Sequence, residues 1–392
     1  MKALVMPEYG GKSIVEVPHF IMEFFGASRH PLMEHHTDSL TFQELNINKD
    51  KEHLVLIIID GLGYQLFKKL KEEHAIPFLS SLHSAYITST FPSTTATALV
   101  SFASGLLPSE HGVLGFRMFL DRPFTTMNTI FYNIEGLENT RVPLDEKVFM
   151  PEFYIYESLA REGVRVYPFL RKEFIGSSFS KIVYGFMENV PHSDDIDLVV
   201  GASKVLDKEG GRRFISLYTP TVDTLSHAYG PYSEEVLAFM RFFDELLDRY
   251  LSKYMDNTLF LITADHGHIP TTEEKSIDIC KKSGIYKRII GYPAGESRAM
   301  YLNVRDKKDF VEEVENEFGD VVHVMLRSEV EHKGLWGGKL KEEFRQRVGD
   351  VVLIPKENYY IVCGDNDKNT SFMKGRHGGL SLEEMLVPLI YN

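Results

Sequence analysis

The chain has 392 residues, 43% of them apolar, enough for one large core or two smaller ones and far from the composition of a disordered chain. Its formal net charge of −13 excludes a generic attraction to nucleic-acid polymers or anionic membranes, so an anionic substrate needs positive charge supplied locally. Cys280 and Cys363 stand far apart with no metal spacing around either, which argues against a disulfide framework or thiolate metal site and for a reducing compartment.

The first apolar run is broken early by Pro7, Glu8 and Gly10, too soon for a secretory leader. The longest apolar run, Leu54 to Ile59, has strand length rather than membrane-span length. The expectation is a soluble cytoplasmic protein with no membrane partner. The same run, LVLIII, reads as a strand buried on both faces of a parallel sheet. A helix is expected over Tyr64–Leu82, a short strand near Ala85–Thr88, and a helix over Thr95–Ser104 ended by Gly105. A helix near Phe153–Arg161 and strands at Val164–Phe169 and Phe214–Tyr218 follow. Ser233, with Glu234 and Glu235 behind it, caps a long helix whose Val236, Met240, Phe243, Leu247, Leu251 and Tyr254 share one face. Leu259–Ile262 is the next buried strand.

This alternation predicts an α/β fold with a central, mainly parallel sheet flanked by helices. The core is expected at roughly 50–270 plus 375–392 of a single catalytic domain. The charged, glycine-broken stretch of roughly 271–374 reads as an inserted smaller α+β subdomain, with strand signals at 321–326, 351–354 and 359–362 and a helix at 340–347.

Three expected strands end in acids. LVLIII runs into Asp60-Gly61, FISLYTPTV into Asp223 with His227 four residues on, and LFLITA into Asp265-His266. Each alone is unremarkable: Asp-Gly after a strand is ordinarily a turn, and an Asp and a His four apart are ordinarily a solvated helix face. Together they place carboxylates and imidazoles outside the carboxyl edge of a parallel sheet, where ligands bind. Such carboxylates repel unless a cation lies between them. The donor set suits zinc, with manganese or iron as alternatives. His377, between glycines in Gly-Arg-His-Gly-Gly, is a further candidate ligand.

The segment Phe91-Pro-Ser-Thr-Thr-Ala-Thr-Ala-Leu starts a helix. Ser93, Thr94 and Thr97 read as caps. A helix start also offers free N–H groups and positive potential to an anion, and a metal-contacted hydroxyl there is a nucleophile. Spacing leaves open which threonine. His111 reads as structural, His268 as a support behind the ligands, and adjacent His35 and His36 as exposed. Phe91, Leu114 and Phe116 are candidates for an apolar wall, and Trp336 for a lid contact or packing.

Five motifs, in order, resemble the alkaline phosphatase superfamily and specifically its nucleotide pyrophosphatase/phosphodiesterase branch. They are IIIDGLG, FPSTTATALVSFASGLLPSEHGVLGF, TVDTLSHAYGP, TADHGH and GRHGGLSLEEMLVPL. Residues 117–210 and most of 270–375 carry little of it. The resemblance implies an alkaline phosphatase-like core with Thr95 as nucleophile. It implies two divalent ions, zinc or manganese, one held by Asp60, Asp265 and His266 and touched by Thr95, the other by Asp223, His227 and His377. It implies in-line displacement through a phospho-threonine intermediate on a phosphate diester or nucleotide pyrophosphate bond, with a small phosphate-containing substrate such as a nucleotide as partner. A phosphonate hydrolase, phosphomonoesterase or phosphoryl transferase of the same superfamily is the alternative. Ala98 stands where the resemblance calls for an asparagine donor. The matched motifs place only Lys374 and Arg376 as bases near a ligand, which favours diesters over monoester dianions. Phe91 and Leu114 are the expected substrate contacts.

Overall fold

The computed structural model describes residues 4–28, 51–120, 125–363 and 373–392. His35 and His36 lie outside the described residues. A seven-stranded sheet forms the centre, in the order His83–Thr88, Leu386–Tyr391, Thr258–Thr263, His53–Ile59, Arg213–Thr219, Arg165–Arg171, Val190–His192. His53–Ile59 is parallel to both neighbours and every residue is buried, because helices cover both faces and no position alternates outward. Leu386–Tyr391 is antiparallel to both of its neighbours, so the sheet is mixed but mainly parallel. Register brings Ile58 level with Tyr218 and Thr263, and the three acid-bearing ends therefore emerge on one edge.

The helix Thr95–Ser104 is buried along its whole length and ends at Gly105, whose φ of 69° is the left-handed geometry glycine supplies without strain. Ser233 accepts the Val236 N–H and opens the helix Glu234–Leu251, with Val236, Met240, Phe243, Leu247 and Leu251 buried as their spacing requires. The single helix expected over Tyr64–Leu82 is two helices, Tyr64–Glu72 and Pro77–Ser81. Between them His74 turns to a φ of 55°, and Pro77 can only begin a new helix because it has no N–H to continue the old one.

A second sheet of eight strands lies beside the first: Val322–Leu326, Val351–Pro355, Ala299–Val304, Ile289–Glu296, Arg117–Phe119, Thr126–Asn128, Asn133–Ile134, Leu137–Arg141. Only the first four come from the expected insert. The other four come from 117–141, joined where Gly295 pairs with Arg117, and strands this short carry no readable period. Trp336 is fully buried against Phe91 and Tyr301, so it is packing rather than a lid and ties the second sheet to the main core.

The two cysteines are paired, which corrects the reading of separate thiols. Strands Ser276–Asp278 and Tyr360–Val362 run parallel, and each leads into one cysteine, so Cys280 and Cys363 bond with Cα atoms 4.9 Å apart despite 83 residues of separation. The bond withdraws the composition's argument for a reducing compartment. Among the described residues no helix is long and apolar enough to cross a membrane.

Candidate active site

Asp60 leaves the end of His53–Ile59, and Asp265 and His266 leave the end of Thr258–Thr263; all three are buried. Each acid has one committed oxygen and one offered. Asp265 Oδ1 accepts the N–H groups of Gly61 at 3.2 Å and His266 at 3.0 Å, and Asp60 Oδ2 accepts the Tyr218 hydroxyl. Asp60 Oδ1 and Asp265 Oδ2 have no hydrogen-bond partner, although His266 Nε2 lies 3.4 Å from the first and 3.6 Å from the second. Burial, and then the charges of Asp265 and Asp223, push the Asp60 carboxyl well above the usual carboxylate range. A divalent cation among these atoms reverses that logic and gives both orphaned oxygens a partner. The residues present therefore fit a metal ion.

The second group stands on the helix Thr221–Tyr229, where Asp223 and His227, four apart, share a face. Asp223 Oδ1 lies 3.3 Å from His227 Nε2, 2.8 Å from His268 Nε2 and 3.7 Å from His377 Nε2. His227 Nδ1 donates to the Gly375 carbonyl at 2.8 Å and His377 Nδ1 to the Ser93 carbonyl at 3.0 Å. A carbonyl only accepts, so both Nδ1 atoms carry hydrogen and both Nε2 atoms face the site, where each neutral ring can offer its lone pair to a metal ion. The rings of His266 and His377 stack 3.8 Å apart and join the two groups. Burial alone raises the Asp223 carboxyl, yet His227 and His268 hold it well below the usual range. His377 is held well below the usual histidine range by burial and by His266, His268 and His227.

Two candidate metal-holding groups result, Asp60, Asp265 and His266, and Asp223, His266, His268 and His377, each with ligand atoms within 4.8 Å of one another. His227 adjoins the second through Asp223. His268 is nearer the centre than expected: it donates to Asp223 and so orients it. The signal was available, since residues two apart in an extended segment share a face and His266 already faces the site.

Thr95 is the first residue of its helix, and its Oγ1 lies 3.2 Å from His266 Nε2 and 3.4 Å from Asp60 Oδ2. The neighbouring hydroxyls are not the expected caps. Ser93 Oγ donates to the Gly379 carbonyl and accepts the Gly378 N–H, which fastens the His377 loop to the helix start. Thr94 stands at the N-cap position, but its side chain makes no cap hydrogen bond. Thr97 is buried with Oγ1 unpartnered.

A cavity of about 120 Å³ opens beside His227 and His377, lined by Phe116, Arg117, Glu296, Ser297, Ile361 and Arg376. The expected wall is corrected here. Phe91 and Leu114 are both fully buried, Phe91 against Trp336 and Leu114 with its carbonyl bonded by the Tyr301 hydroxyl; Phe116 alone of the three reaches the cavity. Ala98 belongs to the fully buried apolar core, so the missing asparagine leaves no gap in this lining. Lys374 is exposed, while Arg376 lies over the Tyr360 ring at 3.9 Å. Arg117 and Glu296 were not readable as site residues, because a strand pairing between distant segments brings them in. Burial pushes the Glu296 carboxyl up to about 7. His111 is structural as expected, bonded to Ser101 Oγ and to the Val113 N–H and pushed down to about 3 by burial.

The chain matches the type I phosphodiesterase / nucleotide pyrophosphatase family over residues 54–380. It belongs to this family. Human ectonucleotide pyrophosphatase/phosphodiesterase family member 1 is 24% identical over 238 residues, which is 59% of this chain and 24% of that relative. The chain thus spans about a quarter of the length of that curated relative. Among solved structures, murine ectonucleotide pyrophosphatase/phosphodiesterase 5 superposes with a TM-score of 0.66 at 16% identity, covering 86% of this chain and 87% of that one. An inactive threonine-to-alanine form of the same murine protein, in complex with AMP, gives 0.65 at 16% identity with the same coverage. Phosphonoacetate hydrolase from Sinorhizobium meliloti 1021, in complex with phosphonoformate, gives 0.66 at 16% identity, covering 87% and 90%. At these identities the likeness shows the fold: this type I phosphodiesterase family member has the α/β core of these proteins.

Proposed function

We propose that the protein is a two-metal hydrolase of phosphate diesters or nucleotide pyrophosphate bonds that works through a phospho-threonine intermediate on Thr95. The observation that carries this is the position of Thr95 Oγ1, at a helix start and within 3.4 Å of both His266 and Asp60 of the buried acidic group. Asp60, Asp265 and His266 would hold one divalent ion together with Thr95, and Asp223, His227 and His377 the other, with His268 orienting Asp223. Bound zinc, or manganese, supplies the positive charge that the chain's own composition lacks and makes a hydroxyl or water nucleophilic near neutral pH.

The chain's residues do the rest. The helix start presents Thr95 with backbone N–H groups suited to phosphoryl oxygens. The Thr95 hydroxyl loses its proton and its Oγ1 forms the bond to phosphorus as the bond to the leaving-group oxygen breaks, and that oxygen takes up a proton. A water then loses a proton and its oxygen bonds phosphorus as the Oγ1 bond breaks, and Oγ1 takes up a proton, which returns the hydroxyl and releases the phosphoryl group. Ser93 and Gly375, through their carbonyls, hold His377 and His227 in place during both steps.

The two guanidinium groups in the cavity are engaged within the protein, Arg117 Nε with Glu135 at 3.3 Å and Arg376 Nη1 with Ser297 at 3.3 Å. Arg117 thereby has its charge matched, whereas Arg376 meets a neutral hydroxyl, so one cationic group is counted for the single charge per phosphorus of a diester. The AMP complex of the murine relative supports a nucleotide. The phosphonoacetate hydrolase, with an equal TM-score, keeps a phosphonate substrate as the second reading.

The test is kcat/KM of zinc-reconstituted protein for an aryl nucleotide diester, the matched aryl monoester and a phosphonocarboxylate. The diester is expected to lead by at least about tenfold, or about 1.4 kcal/mol in the transition state. A monoester lead of that size defeats the diester assignment, and a phosphonate lead replaces it by the second reading.

A further inference from the structure

A cleft of about 650 Å³, the size of a pocket for a small organic molecule, opens at the end of the helix Thr221–Tyr229. Met373 lines both this cleft and the smaller cavity at His227 and His377. The backbone ties its wall to the second metal group. The Lys374 N–H donates to the His227 carbonyl at 2.8 Å, and the next residue, Gly375, holds His227 Nδ1 through its own carbonyl at 2.8 Å. On the other side the Lys374 carbonyl accepts the Thr271 N–H at 2.8 Å, and the Met373 carbonyl accepts Thr271 Oγ1 at 3.0 Å. The cleft wall and a ligand histidine are therefore fixed by one set of bonds.

The lining has two chemical parts. Tyr229 and Tyr232 are 48% and 39% exposed, and Pro270 and Met373 continue their apolar surface. Lys374 is exposed beside them, and its ammonium has no partner among the described residues. Half-open aromatic faces next to a cation suit a planar ring joined to a phosphate.

The direction of the reaction says which half of a substrate would lie here. In-line displacement puts the leaving oxygen opposite the attacking one, and a two-metal site clamps one at each group. Thr95 stands at the first group, so the leaving oxygen faces Asp223, His227 and His377, the side on which the cleft opens.

We propose that this cleft receives the leaving half of the substrate, and that this half is an aromatic group carried on a phosphate, as in a nucleoside monophosphate. Tyr229 and Tyr232 offer their faces to the ring, and Lys374 pairs with the phosphate. The proposal rests on the reading of Thr95 as nucleophile. As Oγ1 bonds phosphorus, the bond from that phosphorus to the bridging oxygen breaks, and the leaving half departs with that oxygen and its electron pair. The favoured substrate is then a pyrophosphate diester with a nucleoside at both ends, rather than a nucleotide with a small leaving group.

The experiment measures kcat/KM of the zinc-reconstituted full chain on three substrates. They are a dinucleoside pyrophosphate, the same pyrophosphate with methyl in place of one nucleoside, and an aryl nucleotide diester. Wild type should favour the dinucleoside over the methyl compound by at least about tenfold, the worth of base stacking on aromatic side chains. Y229A/Y232A should lower that ratio by about tenfold. K374M should leave that ratio alone and lower both pyrophosphates relative to the aryl diester by about threefold, less so at high salt. No lead for the dinucleoside in wild type, or an unchanged ratio in Y229A/Y232A, would overturn the proposal. Should the double variant fail to fold, Y229A and Y232A decide singly: a fall of about threefold in at least one is expected, and none in either overturns it. A wild-type protein that hydrolyses none of the three refutes the proposed function itself, a result distinct from hydrolysis without the dinucleoside lead.

Discussion

Replacing Asp60 with asparagine should stabilise the metal-free protein while removing its response to metal. Asp60 and Asp265 are both buried, each can offer an oxygen within 4.8 Å of the other's, and one oxygen of each has no hydrogen-bond partner. At that separation two carboxylates repel by about 3–4 kcal/mol at an effective dielectric of about 20. The asparagine keeps the shape and leaves a carbonyl oxygen for the Tyr218 hydroxyl. Some charge-assisted strength of that bond is lost, so a net gain of about 1–3 kcal/mol is expected for the metal-free form. The sign with pH follows from the raised Asp60 pKa. An acid whose pKa is higher in the folded state binds more protons there, so metal-free wild type loses stability as pH rises from the ordinary aspartate range through the raised value. The advantage of D60N should therefore grow with pH and vanish in acid. Zinc should raise wild type by about 4 kcal/mol at a thousandfold excess over its dissociation constant and raise D60N much less. Urea unfolding of chelator-treated and zinc-loaded protein between about pH 5 and 8 measures all of this. A metal-free D60N less stable than metal-free wild type across that range would refute the view of this cluster as a site strained by its own charge.

Other perturbations follow from the same geometry. His377→Ala should lower the bound metal from about two ions per chain to about one, read by elemental analysis, because it removes a ligand from the second group only. Glu384→Ala should cost about 3–5 kcal/mol in urea unfolding, since it strands the buried Arg298 guanidinium that its carboxylate engages at 2.7 and 3.0 Å. The pair Arg298→Met with Glu384→Leu should recover most of that loss, and failure to do so would locate the role of Glu384 in its bonds to the Gly379 and Ser381 N–H groups instead.

What could be read from the sequence was local. Continuous apolar runs announce strands such as His53–Ile59 and Thr258–Thr263, because burial on both faces leaves no room for alternation. An acid just past such a run is legible as a residue at the ligand-binding edge, and Asp60, Asp223 and Asp265 all stand there. The choice of Thr95 came from resemblance, not spacing, and the structure sets it apart by distance to Asp60 and His266. Misreadings came from long-range pairing. Strands of two to five residues at 117–141 have no period to detect, and only their union with the Ile289–Glu296 strand brings Arg117 and Glu296 to the cavity. Phe91 and Leu114 follow the same rule: their place in the segment around Thr95 suggested a wall, but the second sheet and Trp336 pack over them. Cys280 and Cys363 became neighbours through a strand pair that separation in sequence concealed.

The most direct test of the central claim is to quench zinc-loaded protein during turnover of a diester and map the phosphorylated residue by mass spectrometry. The account predicts phosphate on Thr95, and in Thr95→Ala neither adduct nor turnover. Phosphate on another residue, or a fully active Thr95→Ala, would contradict it.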